Sequence, residues 1–173
     1  MGFFRKKSGE LWGIVGKFCI FANDMRFLGN IEAKTDAKGR VFLPATFRKV
    51  LQTESENVLV LRKDIFKKCL VLYPWSVWND RIDALLARVN EFDDESQMVF
   101  RQFVSEAEEL TLDGNGRFLI PRRLLQVAGI EQSVRIIGVN NTIEIWATAE
   151  AEATFFPQEE FAARLKAMMA SRS

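Results

Sequence analysis

Two arginines, Arg40 and Arg117, are the residues of this sequence best suited to recognition chemistry. Each ends an Asp-x-x-Gly-Arg motif, which begins at Asp36 in the first copy and at Asp113 in the second. Arginine presents a planar fork of donors that fits phosphate oxygens or the O6/N7 edge of guanine. Two such motifs in one rigid body would give a paired grip on a repeating polyanion such as double-stranded DNA.

The same motifs predict the turns that hold the arginines. Aspartate at the first position of a turn accepts hydrogen bonds from the backbone two residues on, and glycine at the fourth takes a left-handed conformation without steric cost. We therefore expect Asp36 and Gly39 to support the first turn, and Asp113 and Gly116 the second. A lone motif of this kind is more often a plain hairpin turn whose arginine pairs with its own aspartate. Both roles are compatible if the aspartate orients the arginine.

Further basic residues flank the two turns. Lys38 lies within the first turn, Arg48 lies in the segment after it, and Arg122 and Arg123 follow the second turn. We interpret these four as contacts to phosphate or as supports of the turns. The second turn has Asn115 in the place of Lys38, so the two copies differ in charge.

Each motif belongs to a duplicated unit of strand, turn, strand and helix. The copies are 77 residues apart, and at that offset the Asp, Gly, Arg and Pro of the first copy align with identical residues in the second. Pro44 and Pro121 suit the start of a helix, where no backbone donor is needed. Helices are predicted at 45–51 and 122–128, the second with a stop signal at Gly129. Strands are predicted at 28–35, 40–43, 58–61, 69–73, 110–112, 117–120, 133–139 and 142–146, the last two joined by a short turn at residues 140–141.

Three longer helices complete the prediction. Apolar residues recur at spacings of three and four after Pro74, which is typical of an amphipathic helix whose tryptophans are core residues. An acidic helix at 93–109 connects the halves, with Met98, Phe103 and Val104 as its expected buried residues. A final helix runs from Pro157 to about residue 169, and we expect it to match the helix after Pro74 in the first half.

Composition excludes most catalytic classes. The chain of 173 residues is 48% hydrophobic, so it can bury a core, and it has no histidine and only two cysteines. This excludes imidazole-based acid-base catalysis and makes thiolate or histidine metal sites unexpected. We predict no catalytic residue, no metal, no cofactor and no small-molecule substrate. Isolated cysteines favour the reducing cytoplasm.

Charge is unevenly distributed although the net charge is only +1. Residues 31–49 carry five basic side chains against two acidic ones, whereas residues 91–109 carry seven acidic ones against a single arginine. We expect a basic face around the turns and an acidic one elsewhere.

The N-terminal 24 residues do not match the duplicated pattern. A basic cluster precedes an apolar stretch that Lys17 interrupts, and the stretch is shorter than the ~18 residues of a membrane span. We expect Met25 to be the biological start and residues 1–24 to be an extension from a mis-assigned start, so that no membrane partner is predicted. A membrane tether is the less favoured alternative for these residues.

The quoted motifs, with Phe27-Leu28-Gly29 ahead of the first and Ala128-Gly129-Ile130 after the second, resemble the MraZ family of bacterial transcriptional regulators over about residues 25–170. The resemblance implies two AbrB-like, swapped-hairpin units and rings of several subunits. It implies binding to tandem short G-rich boxes upstream of the protein's own operon, usually as a repressor of the division and cell-wall gene cluster. It makes Arg40 and Arg117 the expected DNA-facing groups. The chain departs from the family at Leu125, where the second helix usually carries arginine.

The sequence therefore predicts an α+β protein with two pseudo-repeated swapped-hairpin β units in one barrel-like body with flanking helices. Its parts are the extension 1–24, a first repeat at 25–92, the acidic helix at 93–109 and a second repeat at 110–173. The predicted function is sequence-specific regulation of transcription by a cytoplasmic, nucleoid-associated homo-oligomer. Two alternatives remain: an antitoxin-like module whose partner is another protein, and an enzyme using Asp36, Asp113 and neighbouring carboxylates.

Overall fold

A computed structural model describes residues 25–171, and the predicted N-terminal extension 1–24 lies outside these residues. Two halves follow one another with the same order of elements, namely two strands, a helix, two strands and two helices. The first half comprises β1 (Asn30–Lys34), β2 (Arg40–Phe42), α1 (Ala45–Thr53), β3 (Val58–Lys63), β4 (Leu70–Pro74), α2 (Trp75–Leu86) and α3 (Asp94–Ser105). The second comprises β5 (Glu108–Thr111), β6 (Arg117–Leu119), α4 (Arg122–Ala128), β7 (Ser133–Val139), β8 (Thr142–Ala147), α5 (Thr148–Thr154) and α6 (Gln158–Ala170).

The strands pair across the two halves. Six form one antiparallel sheet in the order β1-β7-β8-β4-β3-β5, so β1 pairs with β7 of the second half and β5 pairs with β3 of the first. Strands β2 and β6 form a separate two-stranded antiparallel ribbon. The mixed α+β class is as predicted. Among residues 25–171 the larger sheet stays open, with β1 and β5 as its edges, and no closed barrel forms.

Local sequence explains where the helices begin and end. All four prolines of the chain occupy the position before a helix, with φ between −51° and −57°, because proline has no N–H to leave unpaired there. Asp93 instead caps α3 by accepting a hydrogen bond from the Ser96 N–H at 3.0 Å. Helix α4 ends at the predicted stop signal, Gly129, which has the left-handed conformation at φ +66°.

One hydrophobic core joins the halves. Buried residues of both β2 and β6, both short helices and the larger sheet pack into a single cluster, which includes Phe27, Val41, Phe47, Phe118, Ile136 and Ile145. A second cluster lies under α2, where Trp78 stacks on Phe103 with ring centroids 5.5 Å apart. Trp78 is therefore a core residue as predicted, whereas Trp75 is 41% exposed.

Three predictions about the helices are wrong. Met98 was expected in the core but is 51% exposed, since α3 touches the sheet mainly through its C-terminal turn, where Phe103 lies. Helix α5 was not predicted because its sequence lacks the apolar residues at spacings of three and four that indicate an amphipathic helix. It forms because its alanines and glutamates have high helix propensity. It directly follows β8, so α5 rather than α6 is the counterpart of α2 by order in the chain.

No helix among residues 25–171 is long and apolar enough to span a membrane.

Candidate nucleic-acid interface

The first turn is held by one carboxylate. Asp36 Oδ1 accepts hydrogen bonds from the backbone N–H groups of Lys38 and Arg40, both at 2.9 Å. Its Oδ2 accepts from Arg40 Nε at 2.7 Å. Gly39 has φ +82°, a conformation that only glycine adopts readily. The turn therefore sets both the backbone path and the base of the arginine side chain.

The second turn repeats this geometry. Asp113 Oδ1 accepts from the N–H groups of Asn115 and Arg117 at 2.9 Å, and its Oδ2 accepts from Arg117 Nε at 2.9 Å. Gly116 has φ +79°. Aspartate, glycine and arginine are the motif residues that carry these contacts, and they are the residues the two copies share.

Both aspartates are more acidic than usual. The backbone N–H of Arg40 is the main cause that lowers the pKa of Asp36, and its guanidinium and the Lys38 N–H add to this effect. For Asp113 the backbone N–H of Arg117 is likewise the main cause of a lowered pKa. The two carboxylates are therefore ionised at neutral pH and remain acceptors for their arginines.

The ribbon of β2 and β6 displays the arginines on one face. Arg40 lies opposite Leu119, and Arg117 lies opposite Phe42. Because side chains alternate along a strand, the central pair of the ribbon points the other way, into the core. Phe42 and Leu119 are 55% and 53% exposed, and the side chains of Arg40 and Arg117 are partly exposed beside them on the same face.

Backbone hydrogen bonds connect each turn to the opposite half. The Leu43 N–H donates to the Gly116 carbonyl, and the Ile120 N–H donates to the Gly39 carbonyl, both at 3.0 Å. These reciprocal bonds hold the two turns at the two ends of one short ribbon. Arg40 and Arg117 are thereby brought to one surface, although they are 77 residues apart in sequence.

The four other basic residues predicted for the site differ from one another in exposure and in pairing. Lys38 and Arg122 are exposed. Arg123 donates to Glu108 Oε1, with its Nη2 at 2.6 Å, so its charge is already paired. Arg48 is half-buried in α1 and lies against Gly116 of the second turn.

The apolar members of this face, Phe42 and Leu119, were not among the residues predicted for the site. The centre of the Arg117 guanidinium lies 5.6 Å from the Phe42 ring centroid, within cation–π range. Alternation along a strand was the signal that could have found Phe42, because a residue two positions after an exposed arginine shares its face.

The described residues give little support to metal or thiol chemistry. No group of three or more His, Cys, Asp or Glu side chains that could hold a metal ion occurs between residues 25 and 171. Cys69 is buried, and this burial raises the pKa of its thiol to about 12, which makes it a poor nucleophile.

Fold and site together define an internally duplicated α+β protein that presents two aspartate-oriented arginines on an exposed ribbon. A family model described as "MraZ protein, putative antitoxin-like" matches residues 26–102 and again residues 103–169. The chain belongs to the MraZ family.

Relatives agree with this assignment. A protein of Bacteroides fragilis named "Transcriptional regulator MraZ" is 57% identical over 145 residues, which cover 84% of this chain and 92% of the relative. A protein of the same name from Phocaeicola vulgatus is 55% identical over 149 residues, or 86% of this chain and 97% of the relative. One from Shewanella oneidensis is 36% identical over 120 residues, or 69% and 78%.

Proposed function

We propose that this chain is a sequence-specific DNA-binding regulator of transcription that acts without catalysis. The names of its relatives support a role in transcription. The observation that carries the DNA-binding part is the exposed ribbon face, on which Arg40 and Arg117 are each oriented by an aspartate.

The chemistry of the arginines suits base reading. With Nε bound to aspartate, the plane of each guanidinium is set, and no residue among 25–171 accepts a hydrogen bond from the Nη nitrogens of Arg40 or Arg117. Two free Nη donors match the two acceptors of guanine in the major groove. Lys38 and Arg122, which are exposed, would contact phosphates, and Arg123 would do so only by leaving Glu108.

The operator and its context follow from the family resemblance. We propose tandem short G-rich boxes upstream of the protein's own operon as the target, and repression of the division and cell-wall gene cluster as the outcome. The protein would then work in the cytoplasm, associated with the nucleoid. Guanine-rich boxes agree with arginine as the reader.

We also propose a ring-like homo-oligomer built from swapped-hairpin units. The exchange of β1 and β5 between the halves supports such units. Helix α6 supports self-association because it buries none of its residues and exposes apolar side chains, among them Phe161, Met168 and Met169. Repeated copies of the ribbon would match repeated boxes, and weak single contacts would add up.

The decisive experiment is a salt series of binding to DNA. The full chain is titrated with a duplex carrying the G-rich boxes from its own upstream region, and with the same duplex after the boxes are scrambled. We expect tight binding to the intact boxes that weakens steeply as salt rises, because phosphate contacts release counterions. Equal affinity for both duplexes at every salt concentration, from folded protein, would refute the proposal.

A protein-binding module is the second candidate. An apolar cleft of about 500 Å³ lies between the β7–β8 hairpin and helices α5 and α6, with Trp146, Phe155, Phe156 and Phe161 among its lining residues. Such a cleft suits an apolar segment of a partner protein. This alternative predicts that a second protein co-purifies with the chain, and that their association depends little on salt.

A further inference from the structure

The two turns are backed by different residues. Each turn packs against the short helix of the opposite half, at positions that correspond through the offset of 77: Leu125 behind the first turn and Arg48 behind the second. A methyl group added at Gly39 would lie 3.1 Å from Leu125 Cδ1. One added at Gly116 would lie 2.7 Å from Arg48 Cδ and 2.8 Å from Arg48 Cζ. The second turn is therefore in direct contact with a guanidinium, where the first has a leucine.

Arg48 is held in this place by the helix that carries it. Its neighbours Phe47 and Leu51 are both buried in the shared core, so the start of the side chain has a defined position on α1. From there it reaches Gly116, whose carbonyl accepts a hydrogen bond from Leu43. Gly116 of the second turn is thus covered by the Arg48 side chain, whereas residues 113–115 stay exposed.

Stability alone does not account for an arginine here. Arg48 Nε is buried, and within the described part of the chain it has no hydrogen-bond partner. An unsatisfied buried donor is destabilising, and leucine at position 125 shows that an apolar side chain serves as backing for the equivalent turn. Arginine at position 48 therefore carries a cost in stability that the leucine at position 125 does not.

We propose that Arg48 is a positioning residue for the second turn. Its side chain fills the space behind Gly116 and thereby restricts the orientation of Arg117, so that the two arginines read DNA unequally, with Arg117 the more rigid reader. This inference rests on the proposed DNA-binding function. Of the two roles expected for Arg48, contact to phosphate and support of a turn, it selects the second and assigns it to the turn of the opposite half.

The first measurement does not involve DNA. Amide hydrogen exchange is compared between the wild-type chain, Arg48→Leu and the matched control Lys49→Leu, which removes an exposed charge from the same helix. We expect faster exchange at residues 114–117 in Arg48→Leu alone, with residues 37–40 unchanged. The thermal midpoint should be preserved or raised, because the buried unsatisfied Nε is removed. Unchanged exchange at 114–117 would overturn the proposal whether or not the chain binds DNA.

The second measurement is a double-mutant cycle on the G-rich duplex. We expect Arg48→Leu to weaken specific binding by roughly tenfold. The loss should vanish in an Arg117→Ala background and persist in an Arg40→Ala background, with the salt dependence of binding unchanged. The variant Arg48→Lys should bind as weakly as Arg48→Leu, because lysine keeps the charge but lacks the planar fork.

Two results on DNA would contradict this role. Arg48 would be a phosphate contact if Arg48→Leu reduced the slope of log affinity against log salt concentration by about one, and if its loss of binding free energy added fully to that of Arg117→Ala. Rescue by Arg48→Lys would point the same way. Wild-type protein that shows no preference for the boxes would instead refute the proposed function, while the exchange result would still decide whether Arg48 supports the turn.

Discussion

The two Asp-x-x-Gly-Arg turns have the same internal bonds but different surroundings. In both, one carboxylate binds two backbone N–H groups and the arginine Nε. The residues around them differ: Lys38 corresponds to Asn115 within the turn, Leu119 to Phe42 opposite the arginine, and Leu125 to Arg48 behind the glycine. Local geometry therefore depends on three motif residues, and the residues in contact with the turns are free to make the halves unequal.

This inequality bears on the proposed recognition of DNA. A turn with Lys38 beside the arginine adds charge at the surface, which favours contact with any phosphate backbone. A turn with Phe42 against the arginine and Arg48 behind the glycine should limit the motion of the arginine, which favours a defined base contact. Four pairs of substitutions, one of them used in two measurements, test how far the comparison between the turns extends.

The largest expected effect concerns the buried face of the ribbon. Phe118 and Val41 are opposite each other and almost fully buried. Phe118→Ala should lower the free energy of unfolding by about 3 to 5 kcal/mol, and Val41→Ala by about 1 to 3 kcal/mol, because the ring leaves the larger cavity. Urea unfolding of both variants measures this, and equal losses would mean that the core collapses around the missing ring.

The glycines come next. Gly39→Ala and Gly116→Ala should each cost about 1 to 3 kcal/mol in unfolding free energy, because alanine is strained at φ +82° and +79°. The alanine at 116 also displaces Arg48, so its cost should shrink in an Arg48→Leu background, whereas the cost of Gly39→Ala should not. Chemical unfolding of the three single variants and the two double variants separates backbone strain from contact with Arg48. An equal reduction in cost at both glycines would contradict the distinction.

The arginines should differ in their effect on specificity. Arg117→Ala and Arg40→Ala should each weaken binding to the G-rich duplex by about 1 to 3 kcal/mol if the contact to guanine is bidentate. We expect the larger loss for Arg117, which Phe42 and Arg48 restrain. Titration of intact and scrambled duplexes measures both, and wild-type affinity and discrimination in either variant would remove that arginine from the interface.

A smaller effect is expected within the turns. Lys38→Ala should weaken binding to intact and scrambled duplexes alike. It should also reduce the slope of log affinity against log salt concentration by about one. Its counterpart Asn115→Ala should leave the slope unchanged because no charge is lost. The salt dependence of binding for both variants is the measurement, and equal slopes would mean that Lys38 does not contact phosphate.

The smallest effect is the response to pH. The pKa values of Asp36 and Asp113 are lowered, so each stabilises the fold fully above the ordinary aspartate pKa of about 3.9, and this contribution is lost as the pH falls through the lowered pKa. Backbone N–H groups are the main cause. Carboxyl NMR titrations should therefore show most of the lowering retained in Arg40→Ala and Arg117→Ala. A return to the ordinary pKa would assign the effect to the guanidinium.

Local patterns predicted the elements that hold the arginines. The strand, turn and helix of each repeat lie close to their predicted positions, and Asn140 has the positive φ that its turn chemistry favoured. Contacts between the halves could not be predicted in this way. That Arg48 lies behind Gly116, that Arg123 is paired with Glu108 and that Phe42 lies opposite Arg117 all depend on strand register and on which half packs against which.

The exchange of strands between the halves also has a consequence for synthesis on the ribosome. Thr35, just after β1, donates its N–H to the carbonyl of Gln132, 97 residues later. Strand β1 thus has no partner until most of the chain has been translated, and closing so long a loop slows folding. During that interval the nascent first half exposes apolar strand edges, so chaperones that bind emerging chains should associate with it.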